Sequence, residues 1–308
     1  MIDVGILVNY FFLFGAILLS ASLAGYLSER VGIVNIGIDG MMCIGALFFG
    51  IYSSPVLGMS NLGFGMIIFP LILTMLSTML MGLLHGLATI KLKANHIISG
   101  TAINMIGLAF ATFLNVVLAG PLYGGAVKLQ TGFISVISLG NGVYLSSIIL
   151  FVVVILIAVL IYFVTHHTKV GLRFVAVGEN PNAVDAQGIS VTKYQWVGVL
   201  LSSALAGLAG ALFLFNVSVF NGNTAGLGFL ALAIMVAGGW MVEWISVISI
   251  CFALFTALSN TNILTNMGVP KEIVFAIPYI ITVIVLLAFS KRSMAPANDG
   301  IPFDKTKR

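Results

Sequence analysis

Long apolar runs dominate the chain, and short polar or charged stretches separate them. Most runs are about twenty residues long, the length of helix that crosses the hydrocarbon core of a bilayer. Backbone groups in lipid must be hydrogen-bonded within their own segment, so these runs predict helices. A transmembrane barrel would show segments of about ten residues with alternating polarity instead. The pattern therefore predicts an all-α, polytopic membrane helix bundle.

About nine transmembrane helices are predicted, with a range of eight to ten, since the apolar runs fall near residues 5–26, 32–50, 64–88, 96–118, 143–165, 196–219, 227–241, 245–263 and 272–290.

Two of the runs are irregular. One is short and ends in Gly238-Gly239-Trp240, and another begins with GIVNIGIDG, which places Asn35 and Asp39 among glycines. Helices broken by glycine and polar residues at membrane depth usually line a cavity or pathway. Each irregular run is therefore a candidate half-helix.

Composition agrees with the membrane assignment. The chain is 60% hydrophobic and only 7% charged, whereas soluble domains carry about 25% charged residues. The net charge is +4, but the basic residues are scattered at the ends of the runs, which excludes a nucleic-acid-binding surface.

Cations mark one side of the predicted bundle, because short loops rich in Lys and Arg stay cytoplasmic. With nine spans, four cation clusters fall on the same side, which predicts an outside N-terminus, a retained first helix and a cytoplasmic C-terminus. Residues 1–290 then form the membrane domain, and the polar tail 291–308 is expected to be cytoplasmic and little ordered. The cations are Arg30; Lys91 and Lys93; Lys169, Arg173 and Lys193; and Lys291, Arg292, Lys305, Lys307 and Arg308.

One long polar segment, residues 166–194 within a cytoplasmic loop of about 166–195, interrupts the apolar pattern. Asn180 suits a helix N-cap, Pro181 the first helical position and Gly188 the left-handed end of a helix. The seven residues between Asn180 and Gly188 make a helix of roughly 10 Å, too short to be stable alone in water. It packs either on its own membrane domain or, as the functional alternative, in a cleft on a cytoplasmic partner.

Sequence motifs for chemistry are absent from the chain. There is no GxxxxGK[ST] phosphate loop, HExxH or CxxC motif, and no recognisable Ser/His/Asp set. His85 and His96 are isolated near the ends of runs and are interpreted as structural. We expect no catalytic residue and no metal site.

Three stretches resemble permease subunits of bacterial ABC importers of the ribose, branched-chain amino acid and nucleoside type. They are ERVGIVNIGIDGMMCIGA (29–46), GLRFVAVGENPNAVDAQGISVTKY (171–194) and SSALAGLAGALF (202–213). The pattern NIGIDGMM and the tail MAPANDGIPFDKTKR (294–308) resemble the nucleoside, guanosine-type branch. In that branch, Glu is commoner than Asp at the position that Asp39 occupies in this chain. The resemblance covers nearly the whole chain.

This resemblance implies that residues 180–188 form a coupling helix seated on a separate ATPase. ATP and Mg²⁺ would bind that ATPase, and this chain would hold no cofactor. The other implied partners are an extracytoplasmic substrate-binding lipoprotein and a second permease chain that completes the pore. The positions carried over to coupling are Gly178, Glu179, Asn180, Pro181, Ala183 and Gly188.

Nucleosides are polar, uncharged and aromatic, so their pathway needs amides, hydroxyls and aromatic walls. The candidates are Asn35, Asp39, Asn104, Phe110 and Asn115. The amides have an alternative role in interhelical hydrogen bonds. An acidic group within a span is usually functional or paired, and for Asp39 the alternative is to cap the start of the second span. Two rows of small residues, 203/207/211 and 202/206/210, predict a close-packed helix face.

The sequence leaves three other functions open. A ribose or other simple-sugar permease of the same class is the nearest, because ribose is part of both substrates. A stand-alone secondary transporter needs a coupling group inside the membrane; Asp39 is the only good candidate, and the segment 166–194 would have no task. An intramembrane enzyme lacks a visible nucleophile and base.

Overall fold

The structure, a computed structural model, describes residues 4–53, 67–119, 127–128, 143–217, 219–261, 263–289 and 295–305. The stretches near 51–63 and 119–142, which separate predicted spans, lie largely outside these residues, as do four of the tail cations. The helices are α1 Val4–Glu29, α2 Ile38–Tyr52, α3 Ile68–Gly86 with a π-helical turn Leu87–Lys91, α4 His96–Ala119, α5 Leu145–His167, α6 Lys169–Glu179, α7 Pro181–Ala186, α8 Val191–Val217, α9 Leu227–Ala237, α10 Val242–Asn260, α11 Ile263–Asn266 and α12 Lys271–Phe289. Strands β1 Val127–Lys128 and β2 Val219–Phe220 pair antiparallel.

Each of the nine apolar runs contains one helix, so the prediction of an all-α membrane bundle is confirmed. Six helices, α1, α3, α4, α5, α8 and α10, are long and apolar enough to cross a membrane in the described part of the chain. The figure of nine holds only approximately, because α2 has 15 residues and α9 has 11. At 1.5 Å per residue they measure about 22 Å and 16 Å, short of the roughly 30 Å hydrocarbon core.

Helix α8 lies at the centre of the bundle, where its small residues let α1, α2 and α3 approach its backbone. Gly207 contacts Gly45 of α2, and Gly210 lies against the carbonyl of Met42, so that a Cβ on either glycine of α8 or on Gly45 would overlap a neighbour. The close-packed face predicted from the two rows of small residues is therefore confirmed. Such packing holds helices together where lipid provides no hydrophobic drive for association.

The unwound segment 30–37 joins α1 to the short helix α2 inside the bundle. Its carbonyls are satisfied by side chains: the His85 ring lies 3.2 Å from Val34 O, and Asn104 Nδ2 donates to Ile36 O at 2.7 Å. The Asn35 side chain donates to Ser202 Oγ at 3.1 Å. Irregular backbone is tolerated at membrane depth when protein groups complete its hydrogen bonds.

The expectation of little order after Ser290 is wrong for residues 295–305. This segment folds back onto the bundle, with a backbone hydrogen bond of 2.9 Å from Asn298 N to Gly178 O. Hydrogen bonds and ion pairs to other parts of the chain offset the entropy lost on ordering a polar tail. Through these contacts, the segments that carry Arg30, Lys93 and Lys305 meet at one end of the bundle.

Candidate functional site

Helix α7 has the boundaries that the sequence predicts. The Asn180 side chain accepts a hydrogen bond from Ala183 N at 3.0 Å, and Pro181 is the first helical residue. At the other end Gly188 has a φ of +76°, and its N–H donates to Asp185 O at 2.9 Å. The N-cap, the N-terminal proline and the C-terminal glycine thus each act as predicted.

The two faces of α7 have different surroundings. Pro181 and Val184 are buried against the chain itself, whereas Asn182, Ala183 and Ala186 are exposed. The sequence leaves two roles open for this helix: packing on its own membrane domain, or docking on a cytoplasmic partner. The geometry is compatible with both at once, because one face is buried against the chain and the other is exposed. Its occupant stays a prediction.

Glu179, directly before the N-cap of α7, is connected to the ends of α1 and α9. Its Oε1 lies 3.4 Å from Nη1 of Arg30. Arg30 also donates to Trp240 O from Nε at 3.1 Å and from Nη2 at 2.6 Å. The Trp240 indole N–H in turn donates to Oε2 of the buried Glu29 at 2.6 Å. This network joins the α6–α7 connection to the ends of two membrane helices. Its charge-assisted hydrogen bonds are stronger than neutral ones.

Gly178 adds a backbone contact to the same connection. It packs against the carbonyl of Arg30 so tightly that a side chain would overlap it. All six residues carried over from the resemblance therefore lie on the α6–α7–α8 connection, with Gly178 and Pro181 buried and the other four exposed. Their role in coupling stays a prediction.

Asp39 joins the two short helices, α2 and α9. Its Oδ1 accepts hydrogen bonds from Gly228 N and from Thr224 Oγ1, both at 2.9 Å. Gly228 is in the first turn of α9, so a carboxylate here satisfies a free helix N–H and faces the positive end of the helix dipole. The alternative that Asp39 caps its own helix is wrong: the N-cap of α2 is Gly37, which makes no side-chain cap.

A group of five polar residues surrounds this contact, and we call it the polar junction: Asp39, Asn104, Asn223, Thr224 and Tyr279. Asn104 accepts from Gly40 N at 2.7 Å and so fixes the start of α2. Tyr279 Oη donates to Ala225 O at 2.7 Å, and Asn223 Oδ1 accepts from Ala225 N at 2.8 Å. Asn104 and Tyr279 are the ninth residues of the long apolar helices α4 and α12, so the polar junction lies within the membrane-spanning part of the bundle.

Part of the polar junction is uncovered in this single chain. Asn223 and Tyr279 are exposed, as is Thr112, about two turns after Asn104 on α4. Polar groups at this depth are costly against lipid and usually face a bundle interior or a water-filled cavity. The arrangement therefore suits a substrate pathway or the surface of a second subunit.

The five predicted pathway residues are only partly brought together. Asp39 and Asn104 belong to the polar junction. Asn35 is completely buried behind α2, where its Oδ1 also accepts from Gly37 N at 3.1 Å. Asn115 is buried and donates to Phe220 O at 2.9 Å, and Phe110 is exposed on α4. Contact of any of the five with substrate stays a prediction.

Sequence reasoning missed three members of the polar junction: Asn223, Thr224 and Tyr279. Residues 220–226 lie between two predicted spans, yet Thr224 bonds to Asp39 and Ala225 bonds to Tyr279 of α12. A usable signal was the short run 227–241. An 11-residue helix cannot cross the membrane, so the polar NGNTAG stretch before it must extend into the bundle.

Two surface grooves do not suit a polar substrate. One, between α5, α6 and α8, is lined by Ile161, Phe174 and Leu201 among others, with Thr165 as its one polar residue. The other, between α10 and α12, is lined mainly by apolar residues such as Trp244 and Phe255. In the described part of the chain, no group of three or more His, Cys, Asp or Glu residues is arranged to hold a metal ion.

Comparison with known proteins identifies the class of this bundle. Residues 6–286 match the family described as branched-chain amino acid transport system / permease component. Uncharacterized protein MG121 of Mycoplasma genitalium is 37% identical over 100% of both chains. The nucleoside ABC transporter permease protein NupC of Lactococcus lactis is 34% identical over 98% of both. The guanosine ABC transporter permease protein NupQ of Bacillus subtilis is 32% identical over 96% of this chain and 95% of its own. No solved structure matches.

The bundle with two short helices and a polar junction within its membrane-spanning part is thus a membrane transport protein. The chain belongs to the family of branched-chain amino acid transport system / permease components. It is a multi-pass permease subunit and not itself an enzyme, and the resemblance inferred from its motifs is confirmed.

Proposed function

We propose that this chain is a permease subunit of an ATP-binding-cassette importer that moves nucleosides across the cytoplasmic membrane. The observation that carries the proposal is similarity over nearly the full length to NupC and NupQ, whose names specify nucleosides and guanosine. The polar junction is compatible with this substrate class, because amide, hydroxyl and phenol groups can hydrogen-bond an uncharged base and ribose.

A separate ATPase supplies the energy, and ATP and Mg²⁺ bind to that subunit rather than to this chain. The exposed face of α7, with Ala183 at its centre, seats in the ATPase, and nucleotide-driven closure moves it. Movement of α7 passes through Glu179 and Arg30 to Trp240, which follows α9. The opposite end of α9 is held by Asp39. The helix thus joins the moving end of the bundle to the polar junction.

Three partners complete the transporter. They are the ATPase, an extracytoplasmic substrate-binding lipoprotein and a second permease chain, which covers the exposed side of the polar junction and forms the other wall of the pathway. The end of the bundle that carries Arg30, Lys93 and Lys305 faces the cytoplasm, since positively charged short loops remain there. The N-terminus then lies outside.

Uptake of radiolabelled substrates tests the proposal. A strain lacking this gene is expected to lose uptake of guanosine or uridine and to keep ribose uptake, and a plasmid copy should restore it. Loss of ribose uptake alone would move the chain to the sugar-permease alternative. If no nucleoside is affected and no ATPase co-purifies with the chain, the proposal is wrong.

Cysteine labelling tests the orientation. Lys93→Cys and Lys193→Cys, both at exposed positions, are expected to react with a membrane-impermeant maleimide only from the cytoplasmic side. Met267→Cys, at an exposed residue between α11 and α12, is the matched control and should react only from outside. The parent chain, with Cys43 buried and Cys251 within the apolar α10, sets the background. Outside labelling at Lys93 or Lys193 would overturn the topology.

A further inference from the structure

Residues 295–305 contact segments that are far apart in the sequence. Besides the bond from Asn298 N to Gly178 O at 2.9 Å, Gly300 N donates to Gly32 O at 3.2 Å. Gly300 has a φ of +76°, a conformation that favours glycine. The segment therefore lies between the unwound stretch after α1 and the end of α6, and it bonds to the backbone of both.

Side-chain contacts extend this attachment to both ends of α7. Glu179, one residue before the N-cap, accepts from Ala297 N at 3.2 Å through Oε2. Asp185, near the other end of the helix, pairs with Lys305 Nζ at 2.9 Å. A six-residue helix does not hold its position by its own hydrogen bonds. Segment 295–305 supplies a fixed contact at each end.

The same segment reaches the connection between α3 and α4. Asp304 pairs with Lys93 at 2.7 Å, and Lys93 itself has a φ of +53°. Pro296 is buried, and Phe303 packs against the main hydrophobic core. The attachment thus combines apolar burial with ion pairs and backbone hydrogen bonds on three other segments.

Asp299 lies half-buried in the middle of the segment, and its Oδ1 has no hydrogen-bond partner among the residues that the structure describes. Burial raises the pKa of this carboxyl above its usual range. The shift favours the neutral form, which costs less to place against the bundle than a charged carboxylate.

We propose that residues 295–305 form a strap that fixes α7 to the end of α1 and to the α3–α4 connection, so that a displacement of α7 moves the membrane helices. This inference rests on the proposed function, because it assigns the strap a part in coupling. Without the strap, Pro181 and Val184 stay buried and Glu179 keeps its ion pair with Arg30. The contacts of Ala297 with Glu179 and of Lys305 with Asp185 are lost. A force on α7 would then bend its connections before it moved the bundle.

Two stop codons separate the strap from the rest of the tail. One variant ends after residue 294, and its matched control ends after residue 305. In the transporter complex, the first variant is expected to retain the ATPase and its ATP hydrolysis. The amount of substrate moved per ATP should fall at least about fivefold, the low end of the fold-changes typical of coupling between sites. The control should match the full chain. An unchanged ratio would overturn the proposal, and loss of the ATPase from the complex would also overturn it, by making the segment a docking element.

Charge exchange tests the strap without shortening the chain. Asp304→Lys alone should lower the transport-to-ATP ratio by about two- to fivefold, the scale of a partly exposed ion pair. The double variant Lys93→Asp with Asp304→Lys should restore it. Failure of the double variant to recover anything contradicts the strap.

Trypsin cleavage gives a readout that needs no substrate. In inside-out vesicles, cleavage after the exposed Arg173 and Lys193 is expected to be faster in the chain ending at 294 than in the control ending at 305. Equal cleavage rates would contradict the strap. If nucleoside uptake fails in the full chain but this difference is found, the proposed substrate is wrong and the strap stands.

Discussion

Deletion of residues 180–188 is expected to reduce nucleoside uptake to the level of a strain without the gene, while the shortened chain still reaches the membrane. The deletion removes α7 with its exposed face, and within α7 only Pro181 and Val184 are buried. The six helices of the described part of the chain that are long and apolar enough to cross a membrane lie outside the deleted residues. Uptake of labelled guanosine, divided by the amount of chain in the membrane fraction, measures the effect. Normal uptake by this variant would falsify docking through α7.

A single substitution distinguishes lost docking from a damaged loop. Ala183→Trp adds bulk to the exposed face of α7 and leaves Asn180, Pro181 and Gly188 in place. Binding of the ATPase should weaken at least about tenfold, as expected for a change at the centre of an interface. Leu172→Trp is the control, because Leu172 is 59% exposed on α6 and outside α7. Equal losses in the two variants would argue against a specific seat for α7.

Local signals explain why α7 was predictable from the sequence. Asn180, Pro181 and Gly188 act on backbone groups within a few residues of themselves, so their meaning does not depend on the rest of the fold. The small residues of α8 are similar: Gly207 and Gly210 specify that some backbone comes close, and the helical repeat alone gives the face. What the sequence could not specify is that the backbone belongs to α2.

Contacts between distant segments account for what was missed. Asp39 and Gly228 are 189 positions apart, and Asp39 was recognisable as a costly charge without any indication of which helix it served. The strap was missed for the same reason. A polar tail is expected to be solvated when only its composition is considered, and the contacts of Asp304 and Lys305 exist only after four segments have come together.

Asp39→Ala is expected to lower guanosine uptake by a factor of about 5 to 150, since it leaves a buried N–H without a partner at a cost of roughly 1–3 kcal/mol in the arrangement that holds α9. The N–H belongs to Gly228, and the hydroxyl of Thr224 loses the same acceptor. The start of α9 would then lose its attachment to α2, and the polar junction its shape. Uptake per amount of membrane-inserted chain is the measurement.

Asp39→Asn decides between a structural role and a role of the charge. The asparagine keeps an oxygen that can accept from Gly228 N and Thr224 Oγ1, so an ATP-driven permease should retain most of its uptake. A secondary transporter that uses Asp39 as its coupling group would lose transport in Asp39→Asn as completely as in Asp39→Ala, because neither residue can take up and release a proton. Equal loss in the two variants would therefore contradict the ATP-driven mechanism, and recovery in the asparagine variant would assign Asp39 to the contact between the two half-helices.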